Sequence, residues 1–356
     1  MAAGAAEADP ILFCLGDPLL DIQVSQGAEE LLRKYGLEPN GAIRATDAHA
    51  ALYDELELHC PTLVAGGAAQ NTARAAAYIL PPGAVVYSGC VGSDTRADIL
   101  RAANVREGVR SAYNVHPTEQ TGACAVLLTG SNRSLVTTLR AAGKYDIAHL
   151  DTPEMKLLVS SARVFYTTGF FLTNGIETQL RLARHAVETG KMFVFNISAP
   201  YVPQVHFDKL TRLLPYCDII LGNDADAFAY AAAAGLPRHS TLPAIAQHMA
   251  QRPLAPSEHK PTRERERVVI ITHGADPAIV VVGSGADAPR EVPGERVPLD
   301  ELVDTNGAGD AFAGGFLAAW ILGRELDECL RVAHRMGAMC VRHVGPQYTF
   351  PKTEIL

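Results

Sequence analysis

The run Asp304-Thr-Asn-Gly-Ala-Gly-Asp-Ala-Phe312 sets two glycines and an aspartate at the mouth of an apolar stretch, Ala311 to Leu322 (AFAGGFLAAWIL). That stretch predicts a buried helix, with Thr305 or Asn306 as its N-cap. The amides of Gly307, Ala308, Gly309 and Asp310 would then point out of the helix start, where unpaired N–H groups and the helix dipole favour an anion. A backbone without a Cβ lets phosphate oxygens come close. Asp310 is itself a poor anion ligand, and a carboxylate beside an anion hole is better explained as a general base for a substrate hydroxyl. Taken alone, the run is equally a glycine-rich turn capping a core helix.

The rest of the chain bounds the answer. Its 356 residues are 48% hydrophobic, enough for a large core. With 31 basic against 39 acidic residues the formal charge is −8, and no basic stripe alternates with aromatics, so the partners are read as small molecules and not nucleic acid. Seven cysteines lie singly, without CxxC spacing, as in a cytoplasmic protein with reduced thiols. The opening MAAGAAEADP lacks a signal-peptide pattern and predicts a disordered tail, and no apolar run reaches the ~20 residues that cross a bilayer, so no membrane partner is expected.

Short apolar runs recur at 11–15, 85–91, 123–128, 163–168, 192–197, 218–221, 268–272 and 278–282, and most predict buried strands. Helical stretches at 70–80, 176–189, 224–234 and 242–251 lie between them. This alternation predicts a parallel sheet with helices on both faces. Several strands end in polar or glycine clusters (Gly16-Asp17, Gly169-Phe170, Asn196, Gly222-Asn223, Thr272-His273-Gly274), and such ends converge on one cleft in open α/β sheets. Residues 20–65 break the rhythm without a long buried strand and read as an inserted cap joined by 121–139, whereas 252–267 reads as a solvated loop.

A second glycine pair opens a helix at Ala65-Gly-Gly-Ala-Ala-Gln-Asn71. Together with 304–312 at the far end of the chain, it resembles the two signatures of the PfkB carbohydrate and nucleoside kinases. Gly16-Asp-Pro-Leu-Leu-Asp-Ile22, Thr121-Gly-Ala-Cys124, Asn132-Arg-Ser-Leu135, Gly169-Phe-Phe-Leu-Thr173, Asn196-Ile-Ser-Ala-Pro200 and Tyr348-Thr-Phe-Pro351 narrow the likeness to the family's adenosine-phosphorylating branch.

The resemblance implies a ribokinase-like α/β three-layer sandwich with a mostly parallel central sheet, the whole of 1–356 forming one kinase domain with a discontinuous lid at about 20–65 and 121–139. It implies ATP as donor, adenosine as acceptor, Mg²⁺ with the ATP, and a monomer, and it allows for a monovalent cation. Asp310 matches the family's base, Gly307, Ala308 and Gly309 its anion hole, and Arg133 the lid arginine that reaches the phosphates. Asp21, Asn71, Gly66, Gly67 and Asn306 match the substrate side, with Phe170 stacking on the base and Asp17 in the same pocket. Asn196, Asn223, Thr272, His273, Gly274 and His334 match the ATP side. Asn223 and Asp226 would hold Mg²⁺ through water. There is no Walker A pattern.

Five positions depart from the family pattern: Asp17 stands for asparagine, Ala68 for serine, Asp226 for glutamate, and Ala42 and Arg44 replace the lid's usual base-contacting pair. A second carboxylate near Asp21 predicts that one of the two titrates upward. Two alternatives stay open on the sequence: a kinase for another nucleoside (inosine, guanosine) or a sugar, and a catalytically silent nucleoside-binding protein.

Overall fold

A computed structural model of the chain describes residues 10–39, 41–130, 132–259, 266–283 and 288–356. Nine strands form the main sheet, in the order Arg290–Val292, Asp276–Val282, Val268–His273, Ile219–Asn223, Met192–Asn196, Val164–Thr168, Leu12–Leu15, Val85–Ser88, Val109–Ser111. Every pairing from Val268–His273 onward is parallel, and the first two strands are antiparallel additions at one edge.

Alternation along the strands explains the layers. Leu12 and Cys14 enter one core, Phe13 and Leu15 the other. Helices Ala68–Ile79, Ala308–Ile321 and Leu326–Cys340 pack on the first face, and Leu172–Glu188, Asp224–Ala233 and Leu242–Ala250 on the second. Ala68–Ile79 and Ala308–Ile321 lie so close that a Cβ on Gly314 would stand 2.3 Å from the Ala75 Cβ, so the site's two glycine-entered helices are locked together by a residue without a side chain.

A second, five-stranded sheet takes its strands from Ala42–Arg44, Asn132–Thr138, Ala123–Thr129, Leu19–Val24 and Thr62–Gly66, in that order. Helices Ala28–Lys34 and Leu52–Leu56 cover it around a small core of Ile22, Val24, Leu31, Tyr53, Ala125 and Leu127. Contrary to the sequence reading, 20–65 does contain a long buried strand, since Leu20 to Val24 are all buried. Asp21 and Gln23 disguise it by interrupting the apolar run.

The segment 252–267 also differs from the expectation at its end. Arg267 is 1% exposed, and its guanidinium donates to the carbonyls of Leu214 (2.7 Å), Met249 (2.8 Å), Arg252 (2.8 Å) and Cys217 (3.0 Å). These carbonyls, with that of Pro253 at 3.5 Å, replace the water that a loop arginine would keep. The predicted tail at 1–9 and the residues 260–265 of this loop lie outside the described residues. Among the described residues no helix is long and apolar enough to cross a membrane, and all seven cysteines are free thiols.

Candidate functional site

The helix Ala308–Ile321 begins one or two residues later than its sequence suggests. Its N-cap is Gly307 (φ 79°), in the left-handed region, and neither Thr305 nor Asn306 caps it with a side chain. The Ala308 amide donates to the Thr305 carbonyl at 3.3 Å, so it is not one of the free donors expected. Among the described residues, the amides of Gly307, Gly309 and Asp310 have no protein acceptor. They remain as a set of N–H groups at a dipole's positive end.

Asp310 lines a cleft beside those amides, together with Gly309, Phe170, Asn196, Ser198, Asn223, Asp226 and Thr272. The polar ends of four parallel strands, or the residues just beyond them, therefore face the entry of the glycine helix. The Asn71 amide donates to Asp310 Oδ2 at 2.9 Å. Burial pushes the Asp310 carboxyl up to about 7, opposed by the Asn71 hydrogen bond and the Arg74 charge and assisted by Asp21. A carboxylate so poised can accept a hydroxyl proton near neutral pH.

On the other side of Asp310 stand residues of the second sheet. Asp21 is buried in the strand Leu19–Val24, and a Cβ on Gly66 would lie 2.6 Å from its Oδ1, so the strand Thr62–Gly66 can pass over this carboxylate only with glycine there. Gly67 (φ 92°) turns the chain into Ala68–Ile79, whose first turn carries Asn71. Arg133, from the strand Asn132–Thr138, pairs with Asp304 Oδ2 and stands 4.0 Å from Asp21 Oδ2. Asp304 also accepts from the amides of Asn306 (2.9 Å) and Gly345 (2.8 Å). The loop before the glycine helix is thus tied to the second sheet through one arginine.

Asp17 is 7% exposed, and its Oδ1 is buried without a partner among the described residues. Asp17 rises to about 7 and Asp21 to about 6, each chiefly through burial; Arg44 opposes the first, and Arg133 and Arg74 the second. The sequence had one of the two rising through the other's charge. Instead both rise, and loss of water is the main cause.

The strand ends opposite are self-organised. Asn223 and Asp226 form a reciprocal capping box, Asp226 N–H to Asn223 Oδ1 at 2.8 Å and Asn223 N–H to Asp226 Oδ2 at 3.0 Å. Asp226 Oδ1 is left buried without a partner, and burial raises its carboxyl to about 6. The Asn196 amide donates to the Tyr166 hydroxyl at 3.3 Å, which also accepts from Thr72 at 3.2 Å. Thr272 Oγ donates to the Gly222 carbonyl at 3.3 Å.

Not every expected residue meets in this cleft. His273 ends the strand Val268–His273, with its Nε2 3.7 Å from Asp224, Gly274 begins the turn after it, and neither lines the cleft. His334 packs edge-on against Phe312 at 5.0 Å, behind the cleft wall, with burial lowering its pKa. Phe170 is half-buried, 6.2 Å from Tyr201. The sequence reading missed Ser198, which enters the cleft through a positive φ of 71° that no composition signals. It also missed Asp304 and Arg74. Arg74, a lone charge in an alanine-rich helix three residues after Asn71, was a readable signal.

Four aspartates, Asp17, Asp21 and Asp226 buried and Asp310 part-buried, predict a sign for the pH dependence. Asp17 and Asp310 (about 7), Asp21 and Asp226 (about 6) hold protons in the folded chain that the unfolded chain releases near its ordinary carboxyl range. Their contribution is fully present below about pH 4 and is lost as pH rises through 6 and 7. The urea midpoint of the ligand-free protein should fall between about pH 5 and about pH 8; a midpoint that rises over this window would contradict the burial described.

The family model "pfkB family carbohydrate kinase" matches residues 30–353. The chain is 48% identical to the adenosine kinase of Schizophyllum commune over 97% of its own length and 98% of the relative's. Among solved structures, it superposes with a TM-score of 0.85 on Anopheles gambiae adenosine kinase in complex with di(adenosine-5) tetraphosphate, at 38% identity, covering 94% of this chain and 96% of that one. Schistosoma mansoni adenosine kinase in complex with adenosine and AMP gives 0.86 at 31% identity, covering 96% and 98%. The fold is the ribokinase-like sandwich of these enzymes, and the chain belongs to the adenosine kinases of the pfkB family.

Proposed function

We propose that this protein transfers the γ-phosphoryl group of ATP to the 5′-hydroxyl of adenosine, giving AMP and ADP. The observation that carries the reading is Asp310: a part-buried carboxylate in a cleft, held by Asn71 and flanked by the free amides of Gly309 and of its own residue. The adenosine oxygen bonds to the γ-phosphorus, its proton passes to Asp310, and the bond to the β–γ bridging oxygen breaks as ADP leaves. The amides at Gly307, Gly309 and Asp310 accept the charge on the transferring oxygens, and Arg133 adds a cation from the second sheet.

Asp21, Gly66, Gly67, Asn71 and Asn306 bind the ribose, Phe170 stacks on the base and Asp17 faces it. Asn196, Asn223 and Thr272 serve ATP from the cleft wall, and His273, Gly274 and His334 serve it from outside that lining. Among the described residues no three acidic, histidine or cysteine side chains gather as a metal site. The unpartnered Oδ1 of Asp226 suits a water of Mg²⁺ held mainly by the phosphates, and the ion neutralises phosphate charge. Segments 20–65 and 121–139 form the lid, which closes to keep water from the phosphates. The protein works as a cytoplasmic monomer.

Asp17 favours one variation, because its unpaired oxygen could select a different base. ADP release measured with adenosine, inosine, guanosine and simple sugars decides the acceptor. Adenosine should give the highest kcat/KM. A better rate with another acceptor would transfer the reading to that nucleoside or sugar, and nucleoside binding without any turnover would mark a silent binding protein.

A further inference from the structure

Arg74 is one of the largest side chains buried in the molecule, 1% exposed inside the first-face core. Its Nη2 donates to Asn71 Oδ1 (2.8 Å), the Ala65 carbonyl (2.7 Å) and the Pro346 carbonyl (3.3 Å), and its Nη1 to Glu107 Oε1 (3.3 Å). Glu107 is 7% exposed and also pairs with Arg106 at 2.9 Å. Arg74 and Asn71 are three residues apart on Ala68–Ile79, and so share one face of that helix. The result is a continuous chain from the protein's edge inward: Arg106, Glu107, Arg74, Asn71, Asp310.

The chemistry of the links sets their direction. A guanidinium has only donors, so it can meet Asn71 only through the amide oxygen. With Oδ1 fixed on Arg74, the NH₂ end must face Asp310, and the carboxylate receives a donor. An amide turned the other way would present a lone pair, which suits a protonated carboxyl and opposes a free base.

We propose that Arg74 is a positioning residue for Asp310, acting through Asn71 by fixing the orientation of its amide so that an N–H is aimed at the carboxylate. This rests on the reading of Asp310 as the base. The Arg74 charge acts in the same sense, lowering the carboxyl against the burial that raises it. Of the other groups facing Asp310, Asp21, itself pushed up to about 6, is the one that titrates toward the neutral range. Asp21, from the second sheet, raises the carboxyl; Tyr166 from the main sheet, Cys340 from Leu326–Cys340 and Tyr348 from the C-terminal segment are all kept protonated by burial, the Cys340 thiol being pushed up to about 12.

The test uses the full-length protein with three variants: Arg74→Met, Arg74→Lys, and Arg74→Met with Glu107→Gln, which removes both buried charges and guards against unfolding from a stranded carboxylate. The carboxyl of Asp310 is titrated by ¹³C NMR on aspartate-labelled protein, its signal assigned by its absence in Asp310→Asn, and kcat/KM is measured across pH. In the double variant the titration should move up by about one unit or more, with about a tenfold loss of kcat/KM near pH 7 that recovers at higher pH. Arg74→Lys, still a pure donor, should restore much of both. An unmoved Asp310 titration in a folded double variant, with a rate loss equal at every pH, would overturn the proposal and leave Arg74 a packing residue. If wild type lacked turnover, the kinase reading would fail, yet the titration would still decide the relay.

Discussion

Asp310→Asn is expected to lower kcat by roughly 10²- to 10⁴-fold while leaving adenosine affinity nearly unchanged. The substitution is close to isosteric, and the asparagine oxygen can still accept the Asn71 N–H that reaches position 310 at 2.9 Å. What disappears is the capacity to take the hydroxyl proton. The amides of the helix start remain, so binding and part of the phosphoryl stabilisation survive. Stability separates this outcome from misfolding. The native carboxyl is burdened by desolvation at neutral pH, so the variant should be at least as stable as wild type near pH 8. Calorimetric titration with adenosine, ADP release and a melting curve together check the claim; turnover within a few-fold of wild type would remove Asp310 from the chemistry.

The second large effect is expected at Arg133, whose partner Asp304 belongs to the loop that leads into the glycine helix. Both side chains are only 14% exposed, so Arg133→Met deprives a largely buried carboxylate of its counter-charge, although two backbone amides still reach Asp304. Breaking such a pair costs up to about 3–5 kcal/mol, and those amides should keep the loss toward the lower end. If Arg133 also meets the transferring phosphoryl, kcat should drop by roughly 10²-fold or more. Arg133→Lys should recover stability better than rate, because a point charge replaces the planar fork. Urea unfolding and steady-state kinetics in varied ATP read the two effects separately. A variant that loses stability but keeps its rate would confine Arg133 to tying the second sheet to the loop.

Much of the main sheet could be read from sequence because its strands are buried on both faces and appear as unbroken apolar runs: 164–168, 192–196 and 268–273 each lie within a residue or two of the prediction. The strand Leu19–Val24 was hidden for the opposite reason. Its burial comes from pairing with Ala123–Thr129 about a hundred residues away, and its polar Asp21 and Gln23 give no local hint of it. Arg267 was obscured in the same way, by carbonyl partners that only the tertiary fold supplies.

At the site, glycine patterns and a neighbouring carboxylate were legible because they are local requirements of a helix that faces an anion. The shift of the N-cap from Thr305 or Asn306 to Gly307 depends on a positive φ, which the sequence permits without demanding. Coupling between the two glycine helices, and hence the contact from Asn71 to Asp310, depends on Gly314 packing across the helix pair, a long-range fact.

The most direct measurement is label transfer. Incubating the protein with ATP labelled in the γ-phosphoryl group, Mg²⁺ and adenosine should yield labelled AMP carrying the phosphate on the 5′-oxygen, and Asp310→Asn should yield almost none in the same time. Label that appears only as free phosphate, on another hydroxyl, or equally with Asp310→Asn would contradict a site in which Asp310 and the amides beside it direct phosphoryl transfer to adenosine.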